Sequence, residues 1–236
     1  MTRPKVLLAC PTSATKYYCF LDWYLNIKRF TYPDLDILIV DNSVGMDNVE
    51  YLEKFNVRVL HVNQRDKTTQ EFICDSQNLI RDVVLDDGYD YLFSLESDVF
   101  PQQKDVIERL MVHNLPIVSA PYFIGMGKES LLLIGVLVKS FVSKNAAFGI
   151  NLPLRYGFFM VDGNLKQVNQ CGIGCSLIKR EIIESTPFRI EKGQLPHSDS
   201  FFYTDLFYQG IPAYLDTKVN LRHDNQDWGL VHNTWR

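Results

Sequence analysis

Short apolar runs alternate with helix-period segments through the first hundred residues. Residues 6–9, 37–40, 57–62 and 91–95 are β-rich runs of strand length. Between the first two lies the aromatic amphipathic stretch 17–30, and after the second, Val49, Leu52 and Phe55 recur at helical spacing and stop before Asn56. The helix ahead of the fourth run is the best marked. Thr68 and Glu71 form a capping-box pattern, Phe72, Ile80 and Val84 mark one face, and Gly88 closes the segment. Four strand–helix units over residues 5–100 predict a parallel, Rossmann-like sheet flanked by helices, with the carboxyl ends of its strands on the edge where open α/β sheets bind ligands.

After residue 100 the pattern becomes mixed. It predicts a helix at about 103–112, strands near 117–123, 131–138 and 156–161, and a Gly-rich turn at 172–174. No repeat, low-complexity tract or linker divides the halves. The expectation is a single α/β domain over 1–236, with a nucleotide-binding half (1–100) and a mixed acceptor and catalytic half (101–236).

Composition narrows the partners. With 236 residues, 46% of them hydrophobic, the chain has enough material for one large core. The net charge of -4 is spread without long runs of one sign, so it provides no electrostatic footprint for nucleic acid or an anionic membrane. A phosphate ligand must then be met locally, by a metal or by backbone amides. The most lipid-like run, residues 131–138, is far short of the roughly 20 residues a transmembrane helix needs and reads as a core strand. The first strand begins within five residues of Met1 and no signal-peptide pattern precedes it. Together with five cysteines, an odd number, this predicts a cytoplasmic protein, peripheral to a membrane if its acceptor is lipid-linked. Cys171 and Cys175 lack the further ligands of a structural zinc site and read as small buried hydrophobes.

The strand at 91–95 runs directly into Glu96, Ser97 and Asp98. Carboxylates two apart on an extended chain point to opposite faces, but a bend at the strand end lets one bind a metal directly and the other through water. A hard divalent cation held by so few protein groups keeps positions for the oxygens of a diphosphate. The same residues could be solvated turn formers, with Asp98 capping a following helix.

This segment resembles the metal motif of family 2-type glycosyltransferases of the GT-A fold: an acid, any residue, then Asp, closing a strand in this position. The resemblance implies a nucleoside-diphosphate sugar donor, a carbohydrate or other hydroxyl acceptor, and Mn2+ or Mg2+ as cofactor. Asp98 is the implied direct metal ligand. Glu96 departs from the commoner Asp, and it counts with Ser97 among the donor-facing residues as well. Pro11 and Thr12, in the run 7–13, resemble the family's nucleoside-holding turn. Asp41 and Asn42, at the tip of the second strand, resemble its nucleobase-facing positions, where a carboxylate can accept from a base N–H or a ribose hydroxyl. Both are also turn formers. Arg65, Lys67, Gln77 and Asn78 stand where the family presents basic or amide groups to the donor, and Arg65 has the phosphate-binding fork.

Downstream, Gly172 and Gly174 resemble the family's acceptor-side glycine loop, in which the backbone can approach a sugar, and Phe188 fits the aromatic that closes that segment. An acid opening a helix, Gly210 ending it, and His223 thirteen residues later match the catalytic-acid helix and the C-terminal His. In this register Asp199 is the implied catalytic base and Ser198 replaces the Glu that precedes it in the family. Inversion needs only one carboxylate to take the acceptor proton. Asp199 can equally serve as a helix cap, while Asp205, about 240° around the same helix, cannot share its site. His223 is implied as a third metal ligand. Trp228, Trp235 and Tyr203 offer apolar faces to sugars or to the core. A sugar-1-phosphate nucleotidyltransferase would need a Gly-rich basic loop after the first strand, which residues 10–15 do not provide; a non-catalytic sugar- or nucleotide-binding module is the other alternative.

Overall fold

The computed structural model describes residues 3–63, 65–126, 129–132, 134–135, 152–153, 160–194 and 196–224. Its main sheet comprises β1 (Val6–Thr12), β2 (Leu35–Asp41), β3 (Arg58–His61), β4 (Tyr91–Leu95), β5 (Ile117–Ser119), β6 (Leu165–Val168), β7 (Cys175–Lys179) and β8 (Ala213–Asp216). In space the order is β6-β8-β5-β7-β4-β1-β2-β3. β4, β1, β2 and β3 pair in parallel, β8 is parallel to β5, and β7 and β6 run antiparallel to their neighbours. The class is therefore α/β with a mostly parallel central sheet, and strands from both halves of the sequence build it. From β1 the chain moves to one side through β2 and β3, then returns to place β4 on the other. This strand-order reversal opens a crevice at the carboxyl ends of β1 and β4.

The helices are α1 (Tyr17–Ile27), α2 (Asp47–Leu52), α3 (Thr69–Asp86), α4 (Val106–Met111), α5 (Arg180–Ser185) and α6 (Ser198–Gln209). Strand alternation divides the core between the two sheet faces. Leu7 and Ala9 of β1 pack with α3, α5 and α6, whereas Val6, Leu8 and Cys10 pack with α1 and α4. Fully buried Trp23 anchors the second face, its ring centroid 5.5 Å from that of Phe20. Truncating such a side chain to Ala costs about 3–5 kcal/mol.

Local signals set the helix ends. The capping box forms on α3: Thr68 Oγ1 accepts from the Glu71 amide at 3.3 Å, and Glu71 accepts from the Thr68 amide at 2.7 Å. Gly88 and Gly210 adopt positive φ after α3 and α6, and Asn56 does so after the turn that continues α2.

Several bounds differ from the sequence expectation. α1 ends at Ile27 rather than at 30, because the amides of Arg29 and Phe30 close tight turns onto Asn26 and Ile27. α4 begins at Val106, not 103, since Gln103 is drawn to the C-terminal segment, its Oε1 accepting from the Asn220 amide and its Nε2 donating to the Lys218 carbonyl. The run expected at 117–123 divides into β5 and a separate strand, Phe123–Met126. Of the run expected at 131–138, the described part forms Glu129–Leu132 and Ile134–Gly135. Its remainder, residues 156–159 of the strand expected at 156–161, and Trp228 and Trp235 lie outside the described residues. Among the described residues, no helix is long and apolar enough to cross a membrane.

Candidate active site

β1 and β4 end side by side, and their continuations make the floor of the crevice. Thr12 Oγ1 and Ser97 Oγ share a hydrogen bond of 3.0 Å across it, so both hydroxyls face each other between the strands. Just past β4 the chain turns, the Val99 amide donating to the Glu96 carbonyl at 3.0 Å. The strand Val99–Pro101 then pairs antiparallel with Leu221–His223, which sets His223 opposite Val99. The bend and this pairing together bring Glu96, Asp98 and the distant His223 to one point. One ligand atom each from Glu96, Asp98 and His223 lie within 4.8 Å of one another.

The imidazole is held in a defined orientation. His223 Nδ1 donates to the Phe123 carbonyl at 2.7 Å, and its ring meets Tyr122 edge-on at 5.1 Å between centroids. That bond directs Nε2 toward Asp98, 3.3 Å from Oδ2. A metal-binding imidazole is usually oriented by just such a bond from its other nitrogen. Two carboxylates and an imidazole form a donor set that suits Mn2+, Mg2+ or a related divalent ion.

Electrostatics separates the two acids. Burial raises the Glu96 pKa, and the Asp98 charge adds to that rise. Burial pushes Asp98 upward too, but hydrogen bonds and charge from His223 and Lys16 overcome it and hold the carboxyl below the usual range. Desolvation opposes charge on His223, yet Asp98 keeps its pKa above the ordinary imidazole value. Lys16, at the start of α1, pairs through Nζ with Asp98 Oδ2.

Asp199 lies in the first turn of α6, after His197 at the cap position. Its Oδ1 accepts from the Ser200 amide at 2.8 Å. A carboxylate on an amide is expected to be a weaker base, but burial prevails here and raises the Asp199 pKa, against the lowering effect of His197 and that bond. Asp199 is also one of the charges that raise Glu96, so the helix start and the strand tip belong to one electrostatic environment. Ser198 is fully buried and donates to Gln77 Oε1, which ties α6 to α3.

Other residues singled out in the sequence sit in varied surroundings. Asp41 is completely buried: Oδ1 accepts from Ser43 Oγ and Asn48 Nδ2, and Oδ2 from the Ser43 amide, with His61 Nδ1 at 2.9 Å. The carboxylate organises its own turn. Asn42 donates to Ser76 Oγ at 3.3 Å, and Asn78 clasps the backbone of Phe188 from both its amide atoms. Phe188 stacks on Phe202 at 4.7 Å. Pro11 is half-buried in β1, and Lys67 pairs with Asp75 at 2.5 Å. Arg65 stands in an exposed turn, 3.9 Å from Asp66. Tyr203 is buried in the core, its hydroxyl 3.1 Å from Cys171 Sγ.

Gly172 and Gly174 pack directly against Tyr122 and Glu96. A Cβ on Gly172 would lie 2.6 Å from Cζ of Tyr122, and one on Gly174 would lie 2.6 Å from Glu96 Oε2. The Gly174 amide donates to the Tyr122 hydroxyl at 3.1 Å, and its carbonyl accepts from the Glu96 amide at 2.9 Å. The loop seats Tyr122 and Glu96. Sequence reading missed Lys16 and Tyr122; the position of Lys16 at the turn following β1, opposite an acidic strand tip, was the available signal.

No protein-family model matches the chain, and no curated protein sequence does. Solved structures do resemble it. The mannosyltransferase PcManGT from Pyrobaculum calidifontis, in complex with GDP-Man and Mn2+, matches 90% of this chain with a TM-score of 0.54 at 14% identity. TarS from S. aureus matches 89% with a TM-score of 0.54 at 9% identity. The chain spans about half the length of that mannosyltransferase chain (54%) and about a third of that TarS chain (35%). These likenesses give the chain a glycosyltransferase-like, GT-A-type α/β fold.

Proposed function

We propose that the protein is an inverting glycosyltransferase that moves a sugar from a nucleoside-diphosphate sugar to an acceptor hydroxyl, with Mn2+ or Mg2+ held by Asp98, Glu96 and His223. The observation that carries this reading is the convergence of those three side chains within 4.8 Å at the carboxyl edge of the parallel strands. The bound cation would neutralise the leaving diphosphate as a Lewis acid.

In this reading Asp199 takes the proton from the acceptor hydroxyl as its oxygen bonds the anomeric carbon. The bond to the diphosphate breaks on the opposite face, and the diphosphate leaves with the electron pair. A partly buried carboxylate of raised pKa is suited to that transfer. Thr12 and Ser97 face the donor between β1 and β4, and Pro11, Asn42 and Gln77 shape the nucleoside side. Asp41 supports the turn around it, and Arg65 reaches the phosphates from its exposed loop.

Replacement of the expected acid by Ser198, whose hydroxyl is committed to Gln77, favours a second reading: a sugar- or nucleotide-binding module without turnover. A thermal-shift panel of nucleoside diphosphates and nucleotide sugars, each with and without Mn2+, tests the common ground. Metal-dependent stabilisation by at least one nucleotide is expected, and none from any of them would sink the proposal. Release of free sugar or transfer product from the stabilising donor then separates enzyme from module.

A further inference from the structure

The ammonium of Lys16 occupies the same carboxylate oxygen, Asp98 Oδ2, that faces His223 Nε2. Asp98 is almost completely buried, whereas the Lys16 side chain retains 19% exposure. Its backbone is fixed: the Lys16 amide donates to the Ser13 carbonyl at 2.9 Å, and the neighbouring Ala14 amide donates to Ser43 Oγ at 2.7 Å. Lys16 thus extends from a turn braced between the tips of β1 and β2, the nucleotide side of the crevice, to the metal ligands beyond β4. Its four-carbon stem lets the charge move while the backbone stays in place.

We infer that Lys16 is the resident counter-ion of the metal site, neutralising Asp98 until a divalent cation takes that carboxylate and then binding the diphosphate of the donor. A doubly charged ion among Glu96, Asp98 and His223 repels an ammonium on Asp98, and the nearest use for the displaced charge is the anion that such a cation recruits. Lys16 thereby links the two binding events. The inference rests on the metal reading above, and its test keeps the two apart.

Mn2+ binding to the full chain is measured by calorimetry and by the Mn2+ electron paramagnetic resonance signal, for wild type, Lys16→Met and Lys16→Arg. Loss of the competing charge tightens Mn2+ binding by about 10-fold in Lys16→Met, the scale on which one adjacent charge changes the occupancy of a site. Lys16→Arg keeps the charge and stays near wild type. Binding of UDP and GDP at saturating Mn2+ weakens about 10-fold in Lys16→Met, through loss of a charge-assisted contact. Should removal of the pair lower the stability of apo Lys16→Met, Mn2+ raises its Tm by more than it raises that of wild type, which a merely structural ion pair would not produce.

Equal or weaker Mn2+ binding by Lys16→Met, with wild type binding normally, overturns the inference and leaves the metal reading intact. Undiminished UDP and GDP binding overturns the diphosphate role. Absence of Mn2+ binding in both wild type and Lys16→Met overturns the metal reading and this inference with it.

Discussion

Gly174 leaves open the space that the carboxylate of Glu96 fills: a Cβ there would lie 2.6 Å from Glu96 Oε2 and 2.7 Å from the Tyr122 hydroxyl. The requirement is for room, since Gly174 is not among the positive-φ residues. Gly174→Ala must therefore displace Glu96 or Tyr122. Overpacking of this kind costs about 1–3 kcal/mol, and in a chain of this length each kcal/mol lowers Tm by about 2–4 °C. The expected result is a folded, less stable protein whose Mn2+ affinity falls along with Tm. An unchanged isotherm would show that Tyr122 alone gave way or that Glu96 has no part in holding the ion, and wild-type Mn2+ affinity in Glu96→Gln would establish the latter.

His223 Nδ1 is held by the Phe123 carbonyl, so His223→Ala removes the proposed ligand and leaves the peptide pairing of Leu221–His223 with Val99–Pro101 in place. Outer partners of a metal ligand alone are worth about 10–100-fold in affinity. Loss of the ligand itself is expected to weaken Mn2+ binding at least that much while the far-ultraviolet circular dichroism stays unchanged. Wild-type affinity in the variant would remove His223 from the site.

Asp41 is bonded from all sides by Ser43, Asn48 and His61. Asp41→Ala strands several buried donors, each costing about 1–3 kcal/mol, so the main effect is a large loss of stability, visible as a fall in the urea midpoint. A variant of normal stability that binds nucleotide poorly would restore the base-facing role that its position at the tip of β2 suggests.

All five cysteines are buried, and burial raises the thiols of Cys19, Cys74 and Cys171 to about 11, with Cys10 and Cys175 higher still. The thiolate is the reactive form, so neither access nor ionisation favours attack at neutral pH. A disulfide reagent should titrate close to no thiols rapidly in the native protein and all five in denaturant. Rapid reaction of Cys171 or Cys175 in the native state would argue that the glycine loop between them opens.

What could be read from the sequence was what local pattern encodes. The alternation of apolar runs located β1 to β4, Thr68 and Glu71 marked the start of α3, and Gly210 marked the end of α6. The acidic tip at Glu96 and Asp98 was visible because a buried strand ran straight into it. Apart from His223, which the family resemblance supplied, the partners of these groups were not visible, because they are chosen by packing between distant segments. The turn after β1 puts Lys16 at the same sheet edge as the acidic tip without specifying that it reaches Asp98, and two glycines in a turn do not disclose that Tyr122 and Glu96 occupy the space beside them. Asp41 shows the converse: its place at a strand tip was read correctly, while the donors that enclose it come from the following turn and from β3.

Asp199 carries the sharpest test, because the two readings of the protein separate on it. Its pKa is raised by burial despite the Ser200 amide. A base must be ionised to accept a proton, so activity is full above its pKa and lost as pH falls through it. With that pKa raised, the acidic limb of kcat/KM is expected above the ordinary aspartate value of about 3.9. Asp199→Asn retains size and the possibility of accepting from Ser200, but cannot take the proton. It should lower kcat by about 10²–10⁴-fold, remove the acidic limb, and leave Mn2+-dependent nucleotide binding near wild type. If turnover and its pH profile survive the substitution, another group is the base; if wild type binds donor and never turns it over, Ser198 marks a site that has kept its ligand and lost its chemistry.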